Sequence, residues 1–286
     1  ASVLKLGMCW PLPEKKIKEF AESVDTLYVV EELDPFLETQ LKAMGIKCIG
    51  KDIIPNRGEL NTDIVRRAIE PDSTKELFAP PELPNRPPNM CAGCPHRGIF
   101  FNLSRMKVFV SGDIGCYTLG FLPPLSAMDA CVCMGASVSM AHGMQKALGE
   151  GAHDKVVSVI GDSTFAHTGI NGLMNSVYND SASTLIILDN RITAMTGQQP
   201  NPASGTNIKG EAANTLDFKA LCQALGVKHV FEVNPHDVVE TRKVLKEAVA
   251  LDEMSVVISK APCVLLPEMK KKTHVPLFTV NENCVG

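Results

Sequence analysis

Five short apolar runs, separated by stretches with helical spacing, constrain the fold of this chain more than any other feature. They are Lys107–Val110, Val156–Ile160, Thr184–Leu188, His229–Val233 and Ser255–Ser259. The central runs are apolar at nearly every position, so neither face is suited to water. Strands buried on both faces belong to parallel sheets whose crossover helices cover both sides. Helical patterns lie where such crossovers need them, near Gly135–Leu148, Gly169–Tyr178, Leu216–Leu225 and Pro235–Leu251. The expected fold is α/β, a doubly wound and mostly parallel sheet. Right-handed crossovers put the loops after the strands at one edge, where ligands bind in such sheets.

A smaller unit precedes this region. Residues 79–89 hold five prolines in eleven positions. Proline cannot continue a helix or sit in a central strand, so the segment reads as an extended linker. Over 1–78, Thr26–Val30 and Ile46–Ile49 read as strands, and Phe36–Met44 and Thr62–Ile69 as helices, the remnant of a small α/β domain. The main domain then covers 90–275, with 276–286 a separate tail. The chain opens on Ala1 and stops just after Cys284, and reads as part of a longer polypeptide.

Composition excludes several classes. With 45% hydrophobic and 21% charged residues, the chain is neither disordered, collagen-like nor a coiled coil. No apolar run approaches the roughly 20 residues of a bilayer span, so no membrane role is expected. Its 28 basic and 32 acidic residues are interspersed, for a net charge of −4. That distribution lacks the basic stripe of a nucleic-acid binder. The ten cysteines, in a long chain without a signal peptide, fit reduced cytoplasmic thiols or metal ligands better than a disulfide scaffold.

Chemistry concentrates after Val156–Ile160, which runs into Gly161-Asp162-Ser163-Thr164-Phe165. A glycine at the strand end permits a tight turn, and small residues let backbone N–H groups approach a phosphate at a helix start. A carboxylate repels a bare phosphate, so Asp162 makes sense with a divalent cation between the two, as Mg²⁺ sits between protein oxygens and substrate phosphates. Asn190, 28 residues on, closes the neighbouring run. Alone, Gly161-Asp162-Ser163 reads more readily as a strand–turn–helix junction with an Asp cap; the matching Asp189-Asn190 shifts the reading to the cation.

Together with Leu188-Asp189-Asn190-Arg191-Ile192-Thr193-Ala194-Met195-Thr196-Gly197-Gln198, this segment resembles the thiamine diphosphate motif of the 2-oxoacid:ferredoxin oxidoreductases. Cys91-Ala92-Gly93-Cys94-Pro95-His96-Arg97, Ser111-Gly112-Asp113-Ile114-Gly115-Cys116-Tyr117 and Val30-Glu31-Glu32-Leu33 extend the resemblance over nearly the whole chain, to the alpha subunits of the family's indolepyruvate type. The resemblance implies a thiamine diphosphate-binding fold preceded by a domain like the C-terminal domain of transketolase. It implies Mg²⁺ on Asp162, Asn190 and the Ile192 carbonyl, with Gly161, Ser163, Thr164, Ile192, Thr196 and Cys116 facing the cofactor. Ser163 stands where the family motif has glycine, a minor departure because it is small.

Cys91-x-x-Cys94 alone fits zinc, iron–sulfur or redox chemistry. No second Cys-x-x-Cys accompanies it, and a Cys₄ cluster needs two more thiolates. The resemblance implies a 4Fe–4S cluster on Cys91, Cys94, Cys116 and Cys263; Cys116 and Cys263 read equally as buried apolar cysteines. Cys9, Cys48, Cys131, Cys133 and Cys222 read as core. Cys284 is similar to the opening of a ferredoxin-like segment. His96 and His167 fall within the motifs and are candidate catalytic residues. His142 reads as helix packing, and His153, His229, His236 and His274 as surface or strand-end residues. The implied activity is oxidative decarboxylation of an aryl 2-oxoacid such as indolepyruvate, with CoA as acyl acceptor and electrons leaving to ferredoxin. A beta subunit and a pyrimidine-binding domain carrying the activating Glu would complete the enzyme. The rivals are a non-oxidative thiamine diphosphate decarboxylase or synthase, which needs no cluster, and a zinc-stabilised interaction module.

Overall fold

A computed structural model describes residues 2–71, 87–149 and 151–270. The chain divides into two compact units, Ala1–Asn85 and Arg86–Gly286. Most of the proline-rich segment and the whole of 276–286, with Cys284, lie outside the described residues.

The first unit holds helices α1 (Glu14–Glu22), α2 (Phe36–Ala43) and α3 (Thr62–Ile69), and α1 and α2 contribute Ile17 and Leu41 to a small core with Leu12 and Val29. The Asn61 side chain caps α3 by accepting the Asp63 and Ile64 N–H groups. Helix α1 escapes a periodicity reading because Ile17 is its one buried side chain. The strands expected at Thr26–Val30 and Ile46–Ile49 are reduced to a single parallel bridge, Tyr28 to Ile49. Val29 is buried but its neighbours Tyr28 and Val30 are exposed, so the segment has one apolar face of one residue. Carboxylates satisfy backbone N–H groups at a helix start and in loops. Glu31 accepts the Leu37 and Glu38 N–H groups at the start of α2 (2.7 and 3.0 Å). Glu38 accepts from Lys51 N–H (2.8 Å) and Glu32 from Leu60 N–H (2.8 Å).

The second unit holds α4 (His96–Leu103), β1 (Phe109–Gly112), β2 (Ala130–Cys131), α5 (Ala136–Leu148) and β3 (Val156–Gly161), then α6 (Asp162–Thr164), α7 (Ile170–Tyr178) and β4 (Thr184–Asp189). It continues with α8 (Phe218–Ala224), β5 (His229–Val233), α9 (Val238–Val249), β6 (Ser255–Lys260) and α10 (Pro267–Lys270). All strand pairings are parallel, in the order β2-β1-β3-β4-β6-β5. The sheet is covered on both faces, and its side chains alternate between them as the two-residue period of a strand requires. Val157, Val159, Ile186, Leu188 and Val257 pack with α4 and α9, whereas Ile160, Leu185, Ile187, Val256 and Ile258 pack with α5, α7 and α8.

The first strand of the sheet lies two residues later than its apolar run, at Phe109–Gly112 instead of Lys107–Val110. Lys107 is exposed, while Ser111 is fully buried and its hydroxyl donates to the Ser137 carbonyl (2.7 Å), so a small polar residue extends the strand where hydropathy ends it. Cysteines expected in the core also move. Cys222 is fully buried and Cys48 half-buried, but Cys9, Cys131 and Cys133 are exposed. Strand β2 is a two-residue edge that leaves Cys131 exposed at its end and Cys133 beyond it, and Cys9 precedes α1 in a loop.

Candidate functional site

The strand order creates the site. The chain passes from β1 outward to β2 and returns to β3 on the other side of β1. This reversal opens a crevice outside the carboxyl ends of β1 and β3, the ligand position in open parallel sheets. The loops leaving β1, β3, β4 and β6 carry Asp113–Cys116, Asp162–Thr164, Asn190–Ile192 and Ala261–Cys263 to that edge.

Asp162 opens α6 with a buried carboxylate. Its Oδ1 accepts the Ser163 N–H (2.6 Å) and the Asn201 side-chain amide (3.2 Å). Its Oδ2 is buried without a hydrogen-bond partner. Burial pushes this carboxyl up to about 7; the N–H of Ser163 opposes the rise and the Asp189 charge adds to it. An ionised oxygen orphaned in this way is costly unless a proton or a cation meets it. Asn190, also buried, presents Oδ1 to the Ile192 N–H (3.1 Å). The site therefore offers one partnerless carboxylate oxygen and one amide oxygen with a spare lone pair, the hard donors that Mg²⁺ takes.

The turn before Asp162 is held by Tyr117, whose hydroxyl accepts the Gly161 N–H (2.9 Å) and donates to the Ile114 carbonyl (3.1 Å). A Cβ on Gly161 would meet Tyr117 Cε1 at 2.7 Å, so glycine is required here for space. Asp113, fully buried, accepts the Gly135 and Ser137 N–H groups (2.8 and 3.3 Å) and so ties the end of β1 to the start of α5. Gly135 adopts φ +87°, and a Cβ there would strike Thr168 Cγ2 at 2.4 Å.

A family description, "Thiamine pyrophosphate enzyme, C-terminal TPP binding domain", matches residues 113–259, the span from Asp113 to the end of the sheet. The chain belongs to the thiamine pyrophosphate enzymes. A second description, "Indolepyruvate oxidoreductase domain", matches residues 1–50. Over 99% of its length the chain is 36% identical to indolepyruvate oxidoreductase subunit IorA of Pyrococcus horikoshii and 37% identical to that of Archaeoglobus fulgidus. It covers 49% and 48% of those relatives, and so spans about half their length. In fold it is similar to a 2-oxoglutarate:ferredoxin oxidoreductase from Magnetococcus marinus, at a TM-score of 0.54 and 19% identity, over 63% of this chain and 66% of that one.

The thiamine pyrophosphate enzyme keeps the other sequence candidates near the same edge, with differences. Cys263 N–H donates to the Asn190 carbonyl (3.0 Å), joining the loop after β6 to the cation side. Cys91, Cys94, Cys116 and Cys263 are free thiols. Burial pushes Cys94 up to about 11; the His96 N–H opposes this, and Cys91, Cys263 and Cys116 each add to it. Cys116 is raised by burial first and then by Cys263 and Cys91. The four thiols thus lie within electrostatic range of one another, although no three His, Cys, Asp or Glu groups among the described residues converge as a metal site. Thiols are the donor type that an iron–sulfur cluster takes.

The two histidines part company. His167 is exposed in a π turn, Phe165–Gly169, against the Thr168 hydroxyl. His96 is buried, its pKa lowered to about 4 by that burial, and its Nε2 lies 3.2 Å from Asn190 Nδ2. Ser163 and Thr164 begin the helix beside Asp162. Thr196 sits in the exposed loop after β4, its hydroxyl donating to Gln199 Oε1 (2.7 Å). Asn201 and Tyr117 escape the sequence reading as separate candidates. Asn201 reaches Asp162 through loop folding, which leaves no spacing signal; Tyr117 follows Cys116 but looks like any core aromatic.

Proposed function

We propose that this chain holds the Mg²⁺–diphosphate half of the cofactor site in an enzyme that oxidatively decarboxylates aryl 2-oxoacids of the indolepyruvate kind. Bound thiamine diphosphate supplies a carbon nucleophile for the 2-oxoacid carbonyl and a sink for the electron pair left by CO₂. Asp162 Oδ2, the Asn190 side-chain oxygen and the Ile192 carbonyl hold the cation, and Gly161, Ser163, Thr164 and Thr196 line the diphosphate. Cys91, Cys94, Cys116 and Cys263 would hold a 4Fe–4S cluster, which would supply a one-electron acceptor, and Cys116 would also serve the cofactor. Electrons pass on to ferredoxin, and CoA collects the acyl group. A beta subunit and a pyrimidine-binding domain, in the same or another polypeptide, provide what these residues lack, including the acid that activates the aminopyrimidine. His167, exposed at the site's edge, is left to contact substrate.

The partnerless Asp162 Oδ2 carries the cofactor half of this reading, and four free cysteine thiols, the donor type such a cluster takes, support the redox half. Iron, acid-labile sulfide and zinc per chain, measured on anaerobically purified protein, test the latter. About four irons with matching sulfide are expected for a Cys₄ cluster. Stoichiometric zinc without iron would assign the thiols to a structural site and remove the electron path.

A further inference from the structure

His96 stands first in α4, directly after Cys94-Pro95, with its ring 3% exposed. Its Nε2 lies 3.2 Å from Asn190 Nδ2. The orientation of that amide follows from its other contact. The Ile192 N–H, 3.1 Å away, is a donor only, so the oxygen of Asn190 must face it. The amide nitrogen then faces His96, and the ring must accept through Nε2, which puts its proton on Nδ1. This arrangement leaves the second lone pair of Asn190 Oδ1 free. The ring is in turn held edge-to-face by Tyr117, with centroids 5.8 Å apart, and the Tyr117 hydroxyl takes the Gly161 N–H at 2.9 Å. One aromatic pair therefore touches both strand ends that carry the cation donors, His96 at β4 and Tyr117 at β3.

We infer that His96 is a positioning residue for the diphosphate-bound cation, locking the Asn190 amide with its oxygen turned to the metal. The inference rests on the cation site proposed above. It removes His96 from direct chemistry on substrate, since the ring is enclosed and its accepting nitrogen is occupied. The torsion at the end of an Asn side chain is broad and roughly two-fold. Without an acceptor at this point, the Ile192 N–H alone holds the amide and the Asn190 nitrogen is left buried and unpaired, so the oxygen is less firmly fixed toward the metal.

The test uses Mn²⁺ with inorganic diphosphate, which needs no pyrimidine-binding domain, followed by calorimetry on the whole chain. His96→Leu should weaken Mn²⁺ binding about 10- to 100-fold, as loss of a partner behind a metal ligand does. His96→Gln, whose side-chain oxygen can accept from Asn190, should return the affinity to within a few-fold of the original. If His96→Leu does not fold, His96→Asn, too short to reach, replaces it with the same expected loss. Loss in Leu or Asn with recovery in Gln supports the inference. Wild-type affinity in Leu or Asn, or a Gln variant no better than they are, overturns it while Asp162→Ala still abolishes binding. Binding unaffected by Asp162→Ala, or absent from the wild type, overturns the cation site itself and this inference with it.

Discussion

The two units of this molecule solve the same problem by opposite means. In the second, Val157, Val159, Ile160, Leu185, Ile186, Ile187, Val256 and Val257 are each 0% exposed, and neighbouring residues feed different faces of one sheet. In the first, the apolar cluster has only four buried side chains, with Ile54 buried outside it, and Glu31, Glu32 and Glu38 clasp backbone N–H groups that no strand ladder takes. A rigid sheet edge suits a cofactor site, because groups fixed by strand ends keep their spacing. Carboxylate clasps suit a unit with too little apolar surface to close by burial alone.

The comparison breaks most severely at the sheet. Ile187→Ala should cost the second unit about 2–5 kcal/mol, read as a lower denaturant midpoint in far-ultraviolet circular dichroism. The transition of the first unit should stay in place. The chain's single tryptophan, Trp10, reports on that unit; a matching shift in its fluorescence would show that the units do not differ as described. A smaller effect is expected from Gly161→Ala. The added Cβ pushes on Tyr117, an overpacking cost of about 1–3 kcal/mol, and thiamine diphosphate binding should weaken with it. Unchanged binding would mean the turn before Asp162 need not be this tight.

The difference also decides what is legible without a structure. Short, mostly apolar runs alternating with helical patterns make β3, β4, β5 and β6 readable, and a strand-end Gly161-Asp162 paired with Asn190 follows from them. Ser111 and Gly112 hide the true end of β1, since a buried serine satisfied by a backbone carbonyl looks polar in the sequence. Two-residue β2 is too short for any period, and Cys131 and Cys133 were misread with it. In the first unit, Glu31 and Glu38 act through long-range contacts to backbone, and a carboxylate's partner 13 residues away leaves no trace in spacing. The His96–Asn190 pair, 94 residues apart, is hidden for the same reason.

Two gentler experiments sharpen the comparison inside the first unit. Glu31→Ala removes the acceptor for two N–H groups at the start of α2, and should cost about 0.5–2 kcal/mol in the Trp10 transition, as loss of a helix cap does. No change there would show that water replaces the clasp. Smallest is a pH effect at Glu38. The hydrogen bond from the Lys42 side chain, then that from the Lys51 backbone, hold its carboxyl below the ordinary value of 4.5. A carboxyl lowered in the folded state contributes stability above its unfolded pKa, and that contribution is lost as pH falls through the folded value. The Trp10 transition should therefore move to lower temperature on acidification below 4.5, and Glu38→Gln should flatten that dependence. An identical acid response in the variant would assign the effect to other carboxylates.

Calorimetric titration of the whole chain with thiamine diphosphate, with and without Mg²⁺, in the wild type and Asp162→Ala, tests the central claim most directly. The account predicts Mg²⁺-dependent binding to the wild type, and its loss in Asp162→Ala with the unfolding transition of the sheet retained. Equal affinity in the two proteins, or binding indifferent to Mg²⁺, would contradict it.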